Sequence, residues 1–360
     1  MIIRDLTLTN FKNHTSRQFI FSAQINCFVG NNGVGKTNVL DALYYLSVAK
    51  SFLPNTDLLN IQSEADFFAI RGTIAGEEKE TVIKVQQPRD AKKIIKKNDK
   101  TYDRISDHVG FLPSVIISPY DSNLISDSGE SRRKFLDSMI SQTDHDYLHS
   151  LIQYQKTLQQ RNALLKNFAR NRYFDAESLE IYDAPLITFA TEIFEKRKAF
   201  TRDLLPLVQH YYELISGGHE MVSVDYASDL STTSMADLLL QNQEKDRAVT
   251  YTSKGVHKDD LLFLMNDSLM KKTSSQGQQK SFLIALKLAQ MSRIRELTGK
   301  TPILLLDDIF DKLDDRRVSH LIELVNKEEF GQMFITDTDP QRTESIVKRI
   351  SEESKIFHLS

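Results

Sequence analysis

Residues Gly30-Asn31-Asn32-Gly33-Val34-Gly35-Lys36-Thr37 satisfy the spacing G-x-x-x-x-G-K-[ST], and the spacing has a chemical purpose. Glycine at 30, 33 and 35 lets the backbone take positive φ and turn its N–H groups inward around a polyphosphate, while a helix starting at Lys36 adds its positive end. Lys36 would reach the β- and γ-phosphates of a nucleoside triphosphate such as ATP, and the Thr37 hydroxyl would hold Mg²⁺. Asn31, Asn32, Val34 and Asn38 belong to the same cradle. Far downstream, Pro302-Ile303-Leu304-Leu305-Leu306-Asp307-Asp308 sets two carboxylates at the end of an apolar run. An acid at the carboxyl end of a buried strand stands where α/β sheets bind ligands. Asp307 would hold Mg²⁺ through water, leaving Asp308 to polarise the attacking water as general base.

Such residues need a strand, a turn and a helix to carry the loop, and a second buried strand to carry the acids. Ile25 to Val29 is a short apolar run ending at glycine, and Val39, Leu40, Leu43, Tyr44 and Leu46 to Val48 form a helical stripe behind the loop. Ile2 to Phe11, Ala69 to Ile74 and Thr81 to Val85 also read as strands, and Lys92 to Tyr102 as a hairpin turning at Asn98-Asp99. From Gly129 to about Ile215 the pattern predicts two or three long helices, with Pro185 and Pro206 marking helix starts or breaks. Ser216 to Arg247 reads as polar loop with one apolar cluster at Met235 to Leu240, and strand patterning resumes from Val249. The expected fold is an α/β head with a β-rich subdomain, built from 1–118 and 250–360, carrying an inserted helical arm at 119–249.

Composition limits the function classes. The chain has 360 residues, 46 Lys+Arg against 49 Asp+Glu and a net charge of −3, so any nucleic-acid binding must come from local patches. The candidates are Lys92, Lys93, Lys96, Lys97, Lys100 and Arg104, or Arg161, Lys166, Arg170 and Arg172, each as readable as a solvated face. Arg132 and Arg133 divide between structural ion pairs and phosphate contacts, and His257 between a structural and a nucleotide-proximal role. The single Cys27 excludes an intramolecular disulfide, and no apolar run reaches the ~18 residues of a membrane span. A cytoplasmic protein without a membrane partner is expected.

The stretch Thr273-Ser274-Ser275-Gln276-Gly277-Gln278-Gln279-Lys280-Ser281 resembles the signature motif of ABC-type ATPases. In that family the serine and glycine at a helix start touch the γ-phosphate bound by the other subunit, a role that would fall to Ser275, Gly277 and Gln278. The bland reading is a helix N-cap at Ser275. Ile309 to Asp314 is similar to the family's D-loop, with Asp314 at its acid. Within this superfamily, which includes the SMC proteins, the whole chain resembles the RecF family of bacterial recombination mediators. The resemblance rests on Leu6 to His14, Gly30 to Asn38, Tyr44 to Ser47 with Lys50-Ser51-Phe52, Ser131 to Asp137, Gly255 to Asp260 and Ser275 to Ser281. Val256, Lys258 and Tyr120 depart from the residues usual in that family, and no histidine stands near Thr336 and Asp337.

The resemblance implies an ABC-type ATPase head that binds ATP and Mg²⁺ and forms an ATP-dependent homodimer. It further implies binding to double-stranded DNA, gaps and single-strand junctions, and work with RecR and RecO in loading RecA. With aspartate and not glutamate at 308, hydrolysis is expected to be weak and to reset the dimer. The alternatives are an ATP-gated subunit acting on another protein or on a transporter without touching DNA, and a carboxylate-rich nuclease, which the 52 residues after Asp308 leave no room to build.

Overall fold

The computed structural model describes residues 1–76, 79–218, 220–308, 331–350 and 353–360. In chain order come β1 (Ile2–Phe11), β2 (His14–Ile20), β3 (Ile25–Val29), α1 (Lys36–Val48), β4 (Phe67–Ala75), β5 (Glu80–Pro88), β6 (Ile94–Lys97), β7 (Lys100–Thr101) and β8 (Ser114–Ile117). The helices α2 (Asn123–Ser126), α3 (Gly129–Ser141), α4 (His145–Asn171) and α5 (Ala176–Ser216) follow. Then come β9 (Val222–Ala227), α6 (Met235–Gln241), α7 (Gln243–Val249), β10 (Asp260–Met265), β11 (Ser268–Leu269), α8 (Met270–Thr273), α9 (Gln276–Thr298), β12 (Ile303–Asp307), β13 (Met333–Asp337), α10 (Pro340–Ile350) and β14 (Ser354–His358). None of the described helices is long and apolar enough to cross a membrane.

The chain folds as two compact units, one of Met1–Ser122, His210–Gly218 and Ser275–Ser360, the other of Asn123–Gln209 and His219–Ser274. The first is the expected α/β head. Its five-stranded sheet runs β14-β3-β13-β12-β8 with every pairing parallel. All residues of β3, β8, β12 and β13 are buried, as strands covered on both faces must be, and this is why they read as unbroken apolar runs. A six-stranded antiparallel sheet, β2-β1-β4-β5-β6-β7, forms the β-rich part. Asn98 and Asp99 both take positive φ (48° and 63°), the tight turn that joins β6 to β7 with the right twist. Helix α1 packs against strands of both sheets. Phe11, Tyr45 and Phe68 fill that seam with no exposure, their rings edge to face at 5.1–5.7 Å.

In the second unit, α3 and α4 are two of the expected long helices, and α5, whose last residues belong to the first unit, is the third. Pro185 and Pro206 neither start nor break a helix: both lie inside the 41 residues of α5. Each proline removes a backbone hydrogen bond at a cost of ~3 kcal/mol. A stripe at Leu179, Leu186, Ala190, Ile193, Arg197, Phe200, Leu204 and Val208 is buried along one side and offsets it. The stretch 216–247 is also less loop-like than expected. It holds β9, which pairs antiparallel with β10 from Val222 opposite Met265 to Ala227 opposite Asp260. That pairing keeps 250–274 in the second unit, beyond the expected span 119–249.

Candidate nucleotide site

Strand β3 delivers the phosphate loop, and its last residue Val29 is held on both sides, by Asp337 of β13 and His358 of β14. Gly30, Gly33 and Gly35 take φ of 153°, 88° and 98°, where a side chain would be strained. At Gly30 the need is also steric, since a Cβ would lie 2.4 Å from the Leu359 carbonyl oxygen. Lys36 is 6% exposed, and its Nζ donates to the carbonyls of Gly30 (2.7 Å) and Asn31 (3.0 Å), which closes the loop around the ammonium. Gly35, the N-cap of α1, offers no side-chain acceptor and the first turn holds no acid, so the helix does not cap its own positive end.

Asp307 ends β12, which is separated from β3 by β13. The Thr37 hydroxyl nevertheless donates to Asp307 Oδ1 at 2.9 Å, and the Thr336 hydroxyl, from the intervening strand, donates to the same oxygen at 2.8 Å. Burial pushes the Asp307 carboxyl above its ordinary range, against the opposing donation from Thr336 and Thr37. A hydroxyl and a carboxylate oxygen this close make a hard-oxygen pair suited to Mg²⁺. Asp308 has φ 52°, and its backbone N–H donates to Thr336 Oγ1 at 3.0 Å, which fixes the turn out of β12. Thr336 is thus a site residue that motif reading alone did not assign. Asp337 is instead locked to Arg342 and Thr343; burial raises its carboxyl, but these donors outweigh it and leave the group below the usual carboxylate range.

The β1–β2 turn braces the helix end. His14 Nε2 lies 3.1 Å from the Gly35 carbonyl, and Asn38 Nδ2 donates to Asn13 Oδ1 at 2.7 Å. Lys12 pairs with fully buried Asp41 at 2.6 Å, and Ser51 and the Phe52 amide donate to the same carboxylate. This is the physical content of two of the segments quoted above: they clamp α1 from either side.

Ser275 is the N-cap of α9 and forms a full capping box with Gln278: Gln278 N–H donates to Ser275 Oγ at 3.2 Å and Ser275 N–H to Gln278 Oε1 at 2.9 Å. Ser275 is exposed and Gly277 half-buried, so this helix end faces solvent. Helix α9 packs on β8, three strand spacings from the loop strand β3, roughly 14 Å. Asp314 lies outside the described residues.

The basic stretches divide. Arg161 is fully buried, paired with Asp183 (2.6 Å) and Asp246 (2.8 Å), and cannot touch DNA. Lys93 is bound to Asp57 and to the Ala49 carbonyl, and Lys97 lies over the Phe111 ring at 4.0 Å. Lys92, Lys100, Arg104, Lys166, Arg170 and Arg172 are exposed, Lys96 half-buried. Arg132 makes a two-pronged pair with Asp260 (2.7 and 2.9 Å), and Arg133 donates to the Asp259 carbonyl. His257 is structural: Nε2 donates to the Thr252 carbonyl (2.9 Å), so Nδ1 accepts from the Tyr154 hydroxyl (2.7 Å).

Residues 2–356 match the family described as RecF/RecN/SMC N terminal domain. The chain is 50% identical over 359 residues to the DNA replication and repair protein RecF of Flavobacterium johnsoniae, with 100% of both chains covered. It is 43% identical to the protein of that name from Phocaeicola vulgatus, covering 99% of this chain and 96% of the other. A solved structure of the recombination mediator protein RecF-ATPrS in the RecFOR pathway aligns with a TM-score of 0.88 at 27% identity, over 99% of this chain and 96% of that one. An Smc head domain from Pyrococcus furiosus aligns with a TM-score of 0.55 at 17% identity, over 99% and 93%, and shares the fold.

Proposed function

The chain belongs to the RecF family of DNA replication and repair proteins, and from that premise we propose that it is an ATP-gated DNA clamp of recombinational gap repair. The observation that carries the reading is the Thr37–Asp307 hydrogen bond, which joins the phosphate loop to the carboxylate strand across β13. The relative with ATPrS supports ATP as the nucleotide.

In this reading Gly30 to Asn38 wrap the triphosphate with backbone amides, and Lys36 exchanges its two loop carbonyls for phosphate oxygens. Thr37 and Asp307 would hold Mg²⁺, which would supply positive charge beside the phosphate oxygens. Asp308 orients the attacking water; its carboxylate reaches one methylene less far than a glutamate would, so turnover is slow. Ser275, Gly277 and Gln278 of a second copy cap the γ-phosphate. The capping box already holds that helix start in shape, and its exposure leaves it open to a partner. ATP then ties two copies together, and hydrolysis releases them. The dimer binds duplex DNA, gaps and single-strand junctions, and acts in the cytoplasm with RecR and RecO to help load RecA. The RecFOR pathway named for the ATP-bound relative supports the RecR and RecO part of that reading.

The test is sedimentation of the purified protein with ADP or a slowly hydrolysed ATP analogue, each with and without gapped duplex DNA. A dimer formed only with the analogue and tightened by DNA is expected. A monomer indifferent to nucleotide and DNA would overturn the clamp.

A further inference from the structure

The basic stretch at the end of α4 keeps three of its four cations exposed, and beside them lies a cavity of about 460 Å³. That volume falls within the ~300–1,000 Å³ of small-molecule sites. Arg172 turns the chain out of α4 with φ 54° and brings Tyr173 and Phe174 against Phe168, which is 3% exposed. The Phe168 ring meets them edge to face at 5.0 and 5.4 Å. Across the cavity, the Arg247 guanidinium covers Phe174 at 4.0 Å. No cation among the described residues covers Tyr173 in this way, and its side chain is 51% exposed at the rim. Arg172 and Arg247 line the cavity against the single acid Glu244, and Lys166 and Arg170 add exposed charge on the same end of α4. No ion pair with a described residue occupies any of these four cations.

We propose that this cavity takes an unpaired base of single-stranded DNA, stacked on Tyr173, with the adjoining phosphates on Arg172 and Arg170. An open aromatic ring beside clustered cations is what a single strand needs, because stacking and phosphate attraction then act on neighbouring atoms of one nucleotide. A base inside a duplex is already stacked on both faces and cannot enter. The inference rests on the DNA-binding reading above and adds to it a separate place where an unpaired strand at a junction is felt.

The test uses an oligo(dT) with one central 2-aminopurine, whose fluorescence changes on stacking, alongside a labelled blunt duplex, both with the ATP analogue present. Tyr173→Ala should weaken oligo(dT) binding roughly tenfold and abolish the fluorescence change, while duplex affinity stays at the wild-type value. Tyr173→Phe, which keeps the ring, should bind as wild type. Arg172→Glu should weaken the single strand and flatten its salt dependence. If Tyr173→Ala and Arg172→Glu bind the oligonucleotide as wild type does, the cavity is not a base site and the clamp reading stands. If the wild-type protein binds neither DNA, both readings fall together.

Discussion

Arg161 Nη1 and Asp246 Oδ2 meet at 2.8 Å with side-chain exposures of 0% and 1%, so a cation that reads as a DNA contact is an internal brace. Removing one member of such a pair leaves the other charge buried and alone. Arg161→Leu is therefore expected to lower unfolding stability by about 3–5 kcal/mol in urea titrations. Below its transition the variant should bind DNA as the wild type does, since Arg161 has no path to solvent.

Asp307 would carry the metal side of the proposed site, and its carboxyl sits above the ordinary range because it is buried. A raised acid holds its proton more tightly when folded, so its contribution to stability is present at low pH and lost as pH rises through the folded value. Ionised Asp307 thus opposes folding at neutral pH, and Asp307→Asn should raise the thermal midpoint without nucleotide. Calorimetric titration should show the cost: Mg²⁺ no longer strengthens ATP binding in Asp307→Asn. In the wild type that strengthening should fade at a higher pH than an ordinary carboxylate would give.

Lys36→Met and Ser275→Arg separate the two halves of the proposed shared site. The first should abolish nucleotide binding, because no other cation among the described residues replaces the buried ammonium inside the loop. The second should bind ATP as a monomer with unchanged affinity and fail to dimerise in sedimentation. A Ser275→Arg protein that dimerises normally would sink the shared-site arrangement.

Burial pushes the His257 imidazole down to about 4, with Lys258 and Arg133 adding to the effect and the Thr252 carbonyl opposing it. A lowered histidine contributes stability that is complete above its unfolded value of 6.5 and is lost as pH falls from there towards 4. The contribution at stake is on the order of 3 kcal/mol. Denaturation midpoints measured across that window should fall more steeply for the wild type than for His257→Gln.

The candidate site was legible in the sequence where it consists of contiguous strings, the phosphate loop and the acid run, which the structure brings together through Thr37 and Asp307. Lys36, Thr37 and Asp307 could be named from such strings, whereas Thr336 could not. Its place in the site comes from β13 lying between β3 and β12, a strand order that no local pattern records. Strand β9 was hidden because only Val222 and Val224 of its six residues are buried. Pro185 and Pro206 misled for a related reason: a proline's local penalty is readable, but the long buried stripe that offsets it belongs to the tertiary fold. For Arg161 and Arg170, identical letters nine residues apart, only packing tells the brace from the free cation.

The pairing of β3 has a consequence for how the protein is made. Both neighbours of this strand, β13 and β14, come from the far end of the chain. On a ribosome adding ~5–20 residues per second, Ile25 to Val29 waits on the order of tens of seconds for either edge to be covered. During that time the antiparallel strands β1, β2, β4 and β5 already have their partners, while the most apolar early strand stays open to chaperones or to other nascent chains. A message cut short before Met333 would still encode the complete phosphate-loop string, yet its product would lack both strands that pair with the one carrying it.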